Sequence, residues 1–526
     1  WFQVRIGSWL VRRMVGGPSP PGDDGLSVGD PAQRVELPEG PMRGPPSAVG
    51  WRGHTGTHKA SSATTPTPDA QPQAWCYRYQ PLQAAGHQPV DEREPNRVDV
   101  TPRADPDPST RASAPAVAPR ATVGAAAAGE GGETMLPGKH VILKRVETGP
   151  ARRRDGLESV QPRLSFAVEV DALTTRRVEE VSHHRDIAAV APVIPMKLIA
   201  PVGLPRATAH PTSASTAWGI HAVGADRSSL SGDGVRVAVL DTGIDASHPA
   251  FDGVELVQRN FTGESAEDLD GHGTHCAGTI FGRDIDGQRI GVAPHVPTAL
   301  IGKVIGEDGA GSDVIVTAIE WALGNDAQVI SMSLGFDFPG MVVDLEQDGV
   351  PTELATSMAL EGYRTNILLF ERLGSLVQAR ASFTGPCLLV AAAGNESRRD
   401  EDPNFVIAVS PPAAADGMIS VAAVGPDPDG FTIASFSNYG ARLSGPGVDI
   451  LSARAGGGLT TLSGTSMATP HVAGVAALWA EKLMKTGHFS QQRFTDLLVG
   501  SAITASLKPE FSPADVGNGI VQAPQD

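Results

Sequence analysis

The stretch Leu462–Leu478 reads LSGTSMATPHVAGVAAL, and the rest of the chain is interpreted from it. Ser466 lies in a Gly-Thr-Ser-Met-Ala turn, and small and apolar residues at helical spacing follow it. This pattern predicts a hydroxyl at the N-terminus of a buried helix, where free N–H groups and the helix dipole favour negative charge. A nucleophile that attacks a carbonyl needs such a place, because the carbonyl oxygen becomes an anion. Ser466 is therefore a candidate nucleophile that needs a base, an orienting acid and a second oxyanion donor.

The bulk composition restricts the classes of protein. The 526 residues are enough for two or three domains, and 40% hydrophobic residues allow a large core. A formal net charge of −17 argues against non-specific nucleic-acid binding. No apolar run approaches the ~20 residues of a membrane helix. The three cysteines cannot all pair, so a disulfide framework is not expected.

Composition also divides the chain into four regions. Residues 1–134 are rich in Pro, Gly, Ala, Arg and Ser and read as a disordered or non-native leader. Residues 139–200 show a β–β–α–β pattern with Thr174 as the helix cap, which predicts a small α+β module. Residues 201–217 read as a linker. Residues 218–526 alternate strand and helix patterns and are expected to form the main domain.

The main domain is predicted to be α/β, with a mainly parallel sheet flanked by helices. Its strand candidates are nearly continuous apolar runs without alternation, which indicates burial on both faces. They are residues 235–240, 299–305, 329–334, 388–393 and 419–424. Ligands of such sheets bind beyond the carboxyl ends of the strands. We therefore expect chemically active residues at those ends.

Polar residues do stand at predicted strand ends. Asp241 follows one strand, either as a buried carboxylate that needs a partner or as a cap of the next turn. Asn395 follows a glycine after another, either as an oxyanion donor or as a turn residue. His272 opens a helix as a candidate base. A metal pair of His272 and His275 is less favoured, because His-x-x-His lacks the i, i+4 spacing of a metalloprotease helix.

Five motifs together resemble one family, the subtilisin-like serine proteases (subtilases). They occur in the family's order over residues 218–523, as Asp-Thr-Gly at 241–243, His-Gly-Thr-His-Cys-Ala-Gly at 272–278, Ser-x-Ser-Leu-Gly at 331–335, Ala-Ala-Gly-Asn at 392–395 and Gly-Thr-Ser-Met-Ala-Thr-Pro-His-Val-Ala-Gly at 464–474. Details at Cys276 and in residues 437–440 and 445–447 are most similar to the proteinase K branch.

The resemblance implies a serine endopeptidase that works through an acyl-enzyme. Ser466 would be the nucleophile, His272 the base and Asp241 the residue that orients the imidazole. Asn395 would donate to the oxyanion together with the Ser466 N–H. The residues implied to bind extended polypeptide substrate are Gly309, Ala310, Gly311, Ser333, Leu334 and Gly335, with Ala392 in a wall of the main pocket.

The resemblance also implies how the enzyme is controlled and what it needs. The 139–200 module is similar to an inhibitory pro-domain, which would block the site until the chain is cut within residues 201–217. No cofactor is expected for the chemistry, and a monomer without membrane or nucleic-acid partners is expected. Structural calcium is considered at Asp284, Asp286 and Asp427, although their spacing departs from the family pattern. Residues 336–387 are longer than in compact relatives and are expected to narrow the cleft or bind a partner.

Three alternatives to a subtilisin-like serine endopeptidase were weighed. Cys276 beside His275 suggests a cysteine nucleophile, but the family places a cysteine there without catalytic use. An α/β-hydrolase is excluded, because Ser466 is not in Gly-x-Ser-x-Gly and the acid precedes the base. A catalytically silent subtilisin-like binding module is the rival function.

No signal peptide pattern follows Met14 or Met135. The resemblance implies export, whereas a start at Met135 implies a cytoplasmic enzyme.

Overall fold

A mainly parallel sheet forms the centre of the structure, a computed structural model that describes residues 138–148, 163–203, 206–207 and 216–525. All of these residues belong to one compact unit. The predicted leader, residues 1–134, lies outside the described residues, as does Cys76. In the described part, no helix is both long and apolar enough to cross a membrane.

The elements of the described residues follow in chain order. The strands are β1 Gly138–Thr148, β2 Arg163–Leu173, β3 Ile187–Pro192, β4 Pro195–Leu198, β5 Arg206–Ala207, β6 Arg236–Asp241, β7 Glu255–Asn260, β8 Thr298–Lys303, β9 Ala310–Gly311, β10 Val329–Met332, β11 Leu334–Phe336, β12 Leu388–Ala392, β13 Met418–Asp427, β14 Gly430–Ile433, β15 Leu443–Pro446, β16 Ile450–Ala453 and β17 Leu459–Leu462. The helices are α1 Thr175–Ser182, α2 Trp218–Ala222, α3 His272–Phe281, α4 Ser312–Gly324, α5 Phe338–Gln347, α6 Thr352–Thr384, α7 Thr465–Lys485, α8 Gln491–Gly500 and α9 Pro513–Val516. A 3-10 turn spans Pro249–Phe251.

The central sheet has the strand order β14-β13-β12-β10-β6-β8-β7, and β15 also pairs with β13. Its pairings are parallel except that of β13 with β14. Successive residues of β6 face opposite sides. Val237 and Val239 join the cluster that contains α3 and α7, whereas Ala238 and Leu240 join the cluster that contains α4 and α6. Burial on both faces explains the continuous apolar strands, and the predicted α/β class is confirmed.

The N-terminal module has the predicted β–β–α–β order. Strands β2, β1 and β3 form an antiparallel sheet, and Thr174 caps α1 by accepting from the Arg177 N–H. Phe166 of this sheet lies in the same hydrophobic cluster as Ile315 of α4 and Leu369 of α6. The Asn366 amide also donates to the Pro192 carbonyl over 2.8 Å. The module is thus packed against α4 and α6 by apolar and polar contacts.

The chain that follows the module runs along the edge of the main domain. Strand β4 is the middle strand of the antiparallel sheet β11-β4-β9. Further on, the Val202 N–H donates to the Ser463 carbonyl over 2.7 Å, and β5 pairs with β17. We call residues 195–203 the cleft segment. Residues 201–217 are predicted to be a linker, yet Val202 and β5 within that range are hydrogen-bonded to Ser463 and to β17.

Helix α7 is the buried element that carries the opening motif. It contacts α3 and the strands β10, β12, β13 and β15. The carboxylate of Glu481, near its C-terminal end, accepts from the N–H groups of Ser231, Gly232 and Asp233. Burial alone would raise the pKa of Glu481, but these N–H groups and Lys485 outweigh burial and lower it. These hydrogen bonds hold the C-terminal end of α7 in place, far from Ser466.

Candidate active site

The predicted site residues meet at one edge of the sheet. Asp241 is the last residue of β6, Ser333 directly follows β10, and Asn395 lies three residues after β12. These strands are neighbours in the order β12-β10-β6, and their carboxyl ends therefore lie together. His272 begins α3 and Ser466 is the second residue of α7. Because α3 and α7 pack against each other, both side chains reach the same edge.

Asp241 and His272 form a buried hydrogen-bonded pair. His272 Nδ1 lies 2.8 Å from Asp241 Oδ1, and both side chains are at most 2% exposed. Burial opposes a charged imidazole, but the Asp241 carboxylate more than offsets it, so the pKa of His272 lies well above its ordinary value. An Asp in this position holds the ring orientation and stabilises the imidazolium. The pair can therefore accept and hold a proton.

The Ser466 hydroxyl is hydrogen-bonded to the cleft segment and not to His272. Its Oγ donates to the Ile199 carbonyl over 2.6 Å. His272 Nε2, the nitrogen not bound to Asp241, is buried without a hydrogen-bond partner among the described residues. A buried polar atom left unpaired is costly. The arrangement has the parts of a proton relay, although the serine hydroxyl is hydrogen-bonded to Ile199 of the cleft segment and not to His272.

Asn395 provides an oriented amide donor beside Ser466. Its Oδ1 accepts from both the N–H and the hydroxyl of Thr465 at 2.9 Å, which directs Nδ2 away from that residue. Nδ2 donates to the Ala200 carbonyl over 2.9 Å. A Cβ added to Gly464 would lie 3.0 Å from this Nδ2 and 3.6 Å from the Ser466 nitrogen. The absence of a side chain at Gly464 thus leaves room for an oxygen between two N–H donors.

Five of the expected substrate-binding residues pair with the cleft segment through their backbones. The Ile199 N–H donates to the Ser333 carbonyl over 3.2 Å. Leu334 and Gly335 pair with Leu198 and Lys197 on one side, while Ala310 and Gly311 pair with Met196 and Pro195 on the other. A Cβ on Gly309 would lie 2.7 Å from the Met196 carbonyl oxygen. The segment lies in the cleft as an added strand, the form in which a peptide substrate binds to a sheet edge.

The Ile199 side chain is buried close to Gly335, one of the predicted substrate-binding residues. Ile199 is 3% exposed, and its Cδ1 would lie 3.4 Å from a Cβ on Gly335. Ala392 is buried at the end of β12, the strand that leads to Asn395. The structure brings Gly335 to the Ile199 side chain, whereas direct contact of Ala392 with that side chain stays a prediction.

Cys276 lies beside Ser466 and His272, but its environment does not favour a role as the nucleophile. Its Sγ lies 3.4 Å from the Ser466 carbonyl and 3.7 Å from His272 Nδ1, the nitrogen already bound to Asp241. Burial raises the pKa of the Cys276 thiol. Since the thiolate is the nucleophilic form, this neutral thiol argues against the cysteine alternative.

Metal binding gains little support from the geometry. Ligand atoms of Asp241, His272 and Cys276 lie within 4.8 Å of one another, but the Asp241–His272 bond already uses two of these atoms. Asp284 and Asp286 are exposed, and Asp427 accepts from Lys508 Nζ over 3.2 Å. No other group of three potential ligands of this spacing occurs among the described residues.

Two positioning residues were missed by the sequence interpretation. Besides Thr465, the buried carboxylate of Asp268 accepts from Thr242 Oγ1 at 2.8 Å and from the Thr274 N–H at 2.8 Å. It thereby ties the turn after Asp241 to the first turn of α3. Thr465 lies inside the serine motif, and Asp268 lies four residues before His272. A polar residue next to a motif was the available signal, but its partner is distant in sequence.

Comparison with known proteins decides the family. The sequence profile of the subtilase family matches residues 232–519, more than half of the chain. The chain belongs to the subtilase family. The predicted resemblance is confirmed at this level, whereas the proteinase K branch stays a prediction. This subtilase is accordingly a subtilisin-like serine endopeptidase, and its substrates are polypeptides.

Several named relatives support this assignment. A thermostable alkaline protease of Halalkalibacterium halodurans is 36% identical over 320 residues, 59% of this chain and 73% of that protein. An intracellular serine protease of Paenibacillus polymyxa is 33% identical over 297 residues, 55% of this chain and 79% of that protein. Subtilisin BL of Lederbergia lenta is 37% identical over 278 residues, 51% of this chain and 85% of that protein.

Proposed function

We propose that Asp241, His272 and Ser466 form the catalytic triad of this subtilase, and that Asn395 with the Ser466 N–H forms its oxyanion hole. The observation that carries the proposal is the 2.8 Å Asp241–His272 bond at the cleft where Ser466 Oγ meets a peptide carbonyl. His272 would take the Ser466 proton through Nε2 as Oγ attacks, and would give it to the leaving amine. The acyl-enzyme would then be hydrolysed by water through the same residues in reverse roles.

We further propose that the described state is latent and that residues 139–200 act as an inhibitory pro-domain. Ser466 and Asn395 contact successive carbonyl oxygens, of Ile199 and Ala200. Catalysis needs the nucleophile and the oxyanion donors at one carbonyl. The cleft segment therefore fills the site in a register that supplies no single reacting centre. Cleavage within residues 201–217 would release the strand and free the Ser466 hydroxyl to pair with His272 Nε2.

The test compares the full chain with its Ser466→Ala variant over time. Mass spectrometry follows the chain, and a chromogenic peptide ending in an apolar residue reports hydrolysis. We expect the wild type to be cut within residues 201–217 and to gain activity in parallel, while the variant stays intact and inactive. Full activity of an uncut chain would refute inhibition by the module. Hydrolysis by Ser466→Ala at the wild-type rate would refute the role of Ser466 and favour another nucleophile.

As a subtilase, the enzyme needs no cofactor for its chemistry, and we propose calcium only as a structural ion near Asp284, Asp286 or Asp427. Thermal unfolding of Ser466→Ala with calcium and with a chelator tests this, because an ion bound only by the folded state raises the midpoint temperature of unfolding.

We also propose that the enzyme is a monomer, which sedimentation of the same variant would test. Export stays a proposal from the resemblance alone.

A further inference from the structure

The helical hairpin formed by α5 and α6 is the part of the main domain that the proposed chemistry leaves unused. It occupies the long segment between Gly335 and Leu388, and it begins directly after β11, one of the two strands that hold the cleft segment. Asp337 is the cap residue of α5: its Oδ1 lies 3.2 Å from the Gly340 N–H. The hairpin thus places a carboxylate one residue beyond a substrate-binding strand.

Asp337 binds the cleft segment at two points, one through its backbone N–H and one through its carboxylate. The Asp337 N–H donates to the Pro195 carbonyl over 3.3 Å, and Asp337 Oδ1 accepts from Lys197 Nζ over 3.0 Å. Ser466 Oγ touches the Ile199 carbonyl, so the bond next to the nucleophile is Ile199–Ala200. Counted back from this bond, Lys197 is the third residue. A substrate whose scissile carbonyl takes the place of the Ile199 carbonyl would have its third side chain at the position of Lys197.

The surroundings of Lys197 are acidic. Lys197 and Leu198 line a cavity of ≈ 280 Å³ together with the carboxylate residues Glu264, Asp270 and Glu307. The main domain contributes one lysine to this lining, Lys303. Its Nζ donates to the Glu267 carbonyl over 2.8 Å and lies 3.7 Å from the Glu264 carboxylate, so it offsets one of these three negative charges. The remaining field near the third position is negative, and it favours a cation there.

We propose that Asp337 makes this protease select polypeptides with Lys or Arg at the third residue before the cleaved bond, an inference that rests on the proposed function. The ion pair is partly exposed, with Lys197 at 41% and Asp337 at 30%. Such pairs contribute modestly, so the preference for Lys over Gln is about two- to fivefold in kcat/KM. Asp337 acts by recognition of the substrate and takes no part in the bond cleavage.

The experiment uses three peptides that copy the cleft segment, acetyl-Met-Lys-Leu-Ile-p-nitroanilide and its versions with Gln and Glu in place of Lys. The enzyme is the full chain after its hydrolysis rate has become constant, with active sites counted by a phosphonate inhibitor. We expect wild type to prefer Lys over Gln and Gln over Glu. In Asp337→Asn the Lys preference falls to near one. Because Asn is also a good helix cap, this variant keeps α5 capped.

Two controls keep the result interpretable. Asp344 is an exposed residue of α5, and Asp344→Asn makes the same charge change without a contact to the cleft segment, so the preference should persist. In the wild type, raising salt to 0.5 M should reduce the preference, because salt screens a partly exposed pair. Equal rates for Lys and Gln, or a preference unchanged in Asp337→Asn, overturns the inference. No hydrolysis of any peptide by titrated wild type instead overturns the proposed function.

Discussion

At the scale of single residues, the site depends on side chains that orient the reacting groups. Asn395 is directed by Thr465, and the Asp241 turn is tied to α3 by Asp268. Neither Thr465 nor Asp268 belongs to the proposed triad or oxyanion hole. Under the proposed roles of Asn395 and His272 they matter, because an oxyanion donor or a base that is misplaced by a fraction of an ångström loses much of its effect.

Loss of the Thr465 hydroxyl should weaken the oxyanion hole without removing its donor. We expect Thr465→Val to lower kcat about tenfold, with KM little changed, because Asn395 keeps one of its two bonds to residue 465. Asn395→Ala should lower kcat by about 10²–10³, the magnitude found for the corresponding asparagine of subtilisin itself. Steady-state kinetics on titrated enzyme would measure both effects.

Thr469 offers the matched control for this prediction. Thr469 lies one turn further along α7, and its buried hydroxyl donates a hydrogen bond to the Thr465 carbonyl, not to Asn395. Thr469→Val should therefore leave kcat within about twofold of wild type. A loss of kcat equal to that of Thr465→Val would mean that any buried hydroxyl in α7 matters and that the orientation of Asn395 does not.

At the scale of elements, α7 must approach its neighbours closely to deliver Ser466. The sequence suggests that its small residues let it pass close to the sheet. Gly474, however, faces Val292 in the loop before β8, where an added Cβ would lie 2.5 Å from the Val292 Cβ. The close approach at this residue is therefore made to a loop, while the strands contact other parts of the helix.

Enlarging Gly474 should displace α7 and misplace Ser466. Gly474→Leu would force Val292 and the helix apart, so we expect at least tenfold lower kcat and a loss of about 1–3 kcal/mol of unfolding free energy, the usual cost of overpacking. A partial rescue by Gly474→Leu with Val292→Ala would support this cause. Unchanged stability and turnover in the single variant would contradict it.

The same scale shows what could be predicted from sequence and what could not. Buried parallel strands are apolar throughout, so β6, β10 and β12 and the polar residues at their ends were predictable. The pairing of Pro195–Leu198 with β9 and β11 was not, because these partners lie more than a hundred residues away. Residues 201–217 were predicted to be a linker because composition does not reveal the bond of Val202 to Ser463 or the pairing of β5 with β17. Asp268 was missed for the same reason.

At the scale of the whole molecule, buried histidines make stability depend on pH. Burial lowers the pKa of His275 to about 3 and that of His471 to about 4. In the unfolded chain both have the ordinary value of about 6.5. Between these values the unfolded state binds more protons, so the folded state loses stability as pH falls below 6.5. His272 has a raised pKa and does not add to this loss, because it is protonated in both states there.

We expect about 3 kcal/mol of unfolding free energy to be lost from these two residues between pH 6.5 and pH 5. Urea unfolding of the Ser466→Ala variant, which avoids self-digestion, would measure it. Adding His471→Gln should reduce the pH-dependent loss by about half, since one of the two groups is removed. His488 is exposed, and His488→Gln should leave the loss unchanged. An equal loss with and without His471 would contradict the assignment.

The central claim is that Ser466 is the nucleophile and that the cleft segment withholds it until the chain is cut. The most direct measurement is labelling with a serine-directed phosphonate, followed by peptide mapping at successive times. The account predicts a single adduct on Ser466 that appears only as residues 201–217 are cleaved and is absent from Ser466→Ala. An adduct on another residue, no adduct on the cleaved enzyme, or full labelling of the uncut chain would contradict it.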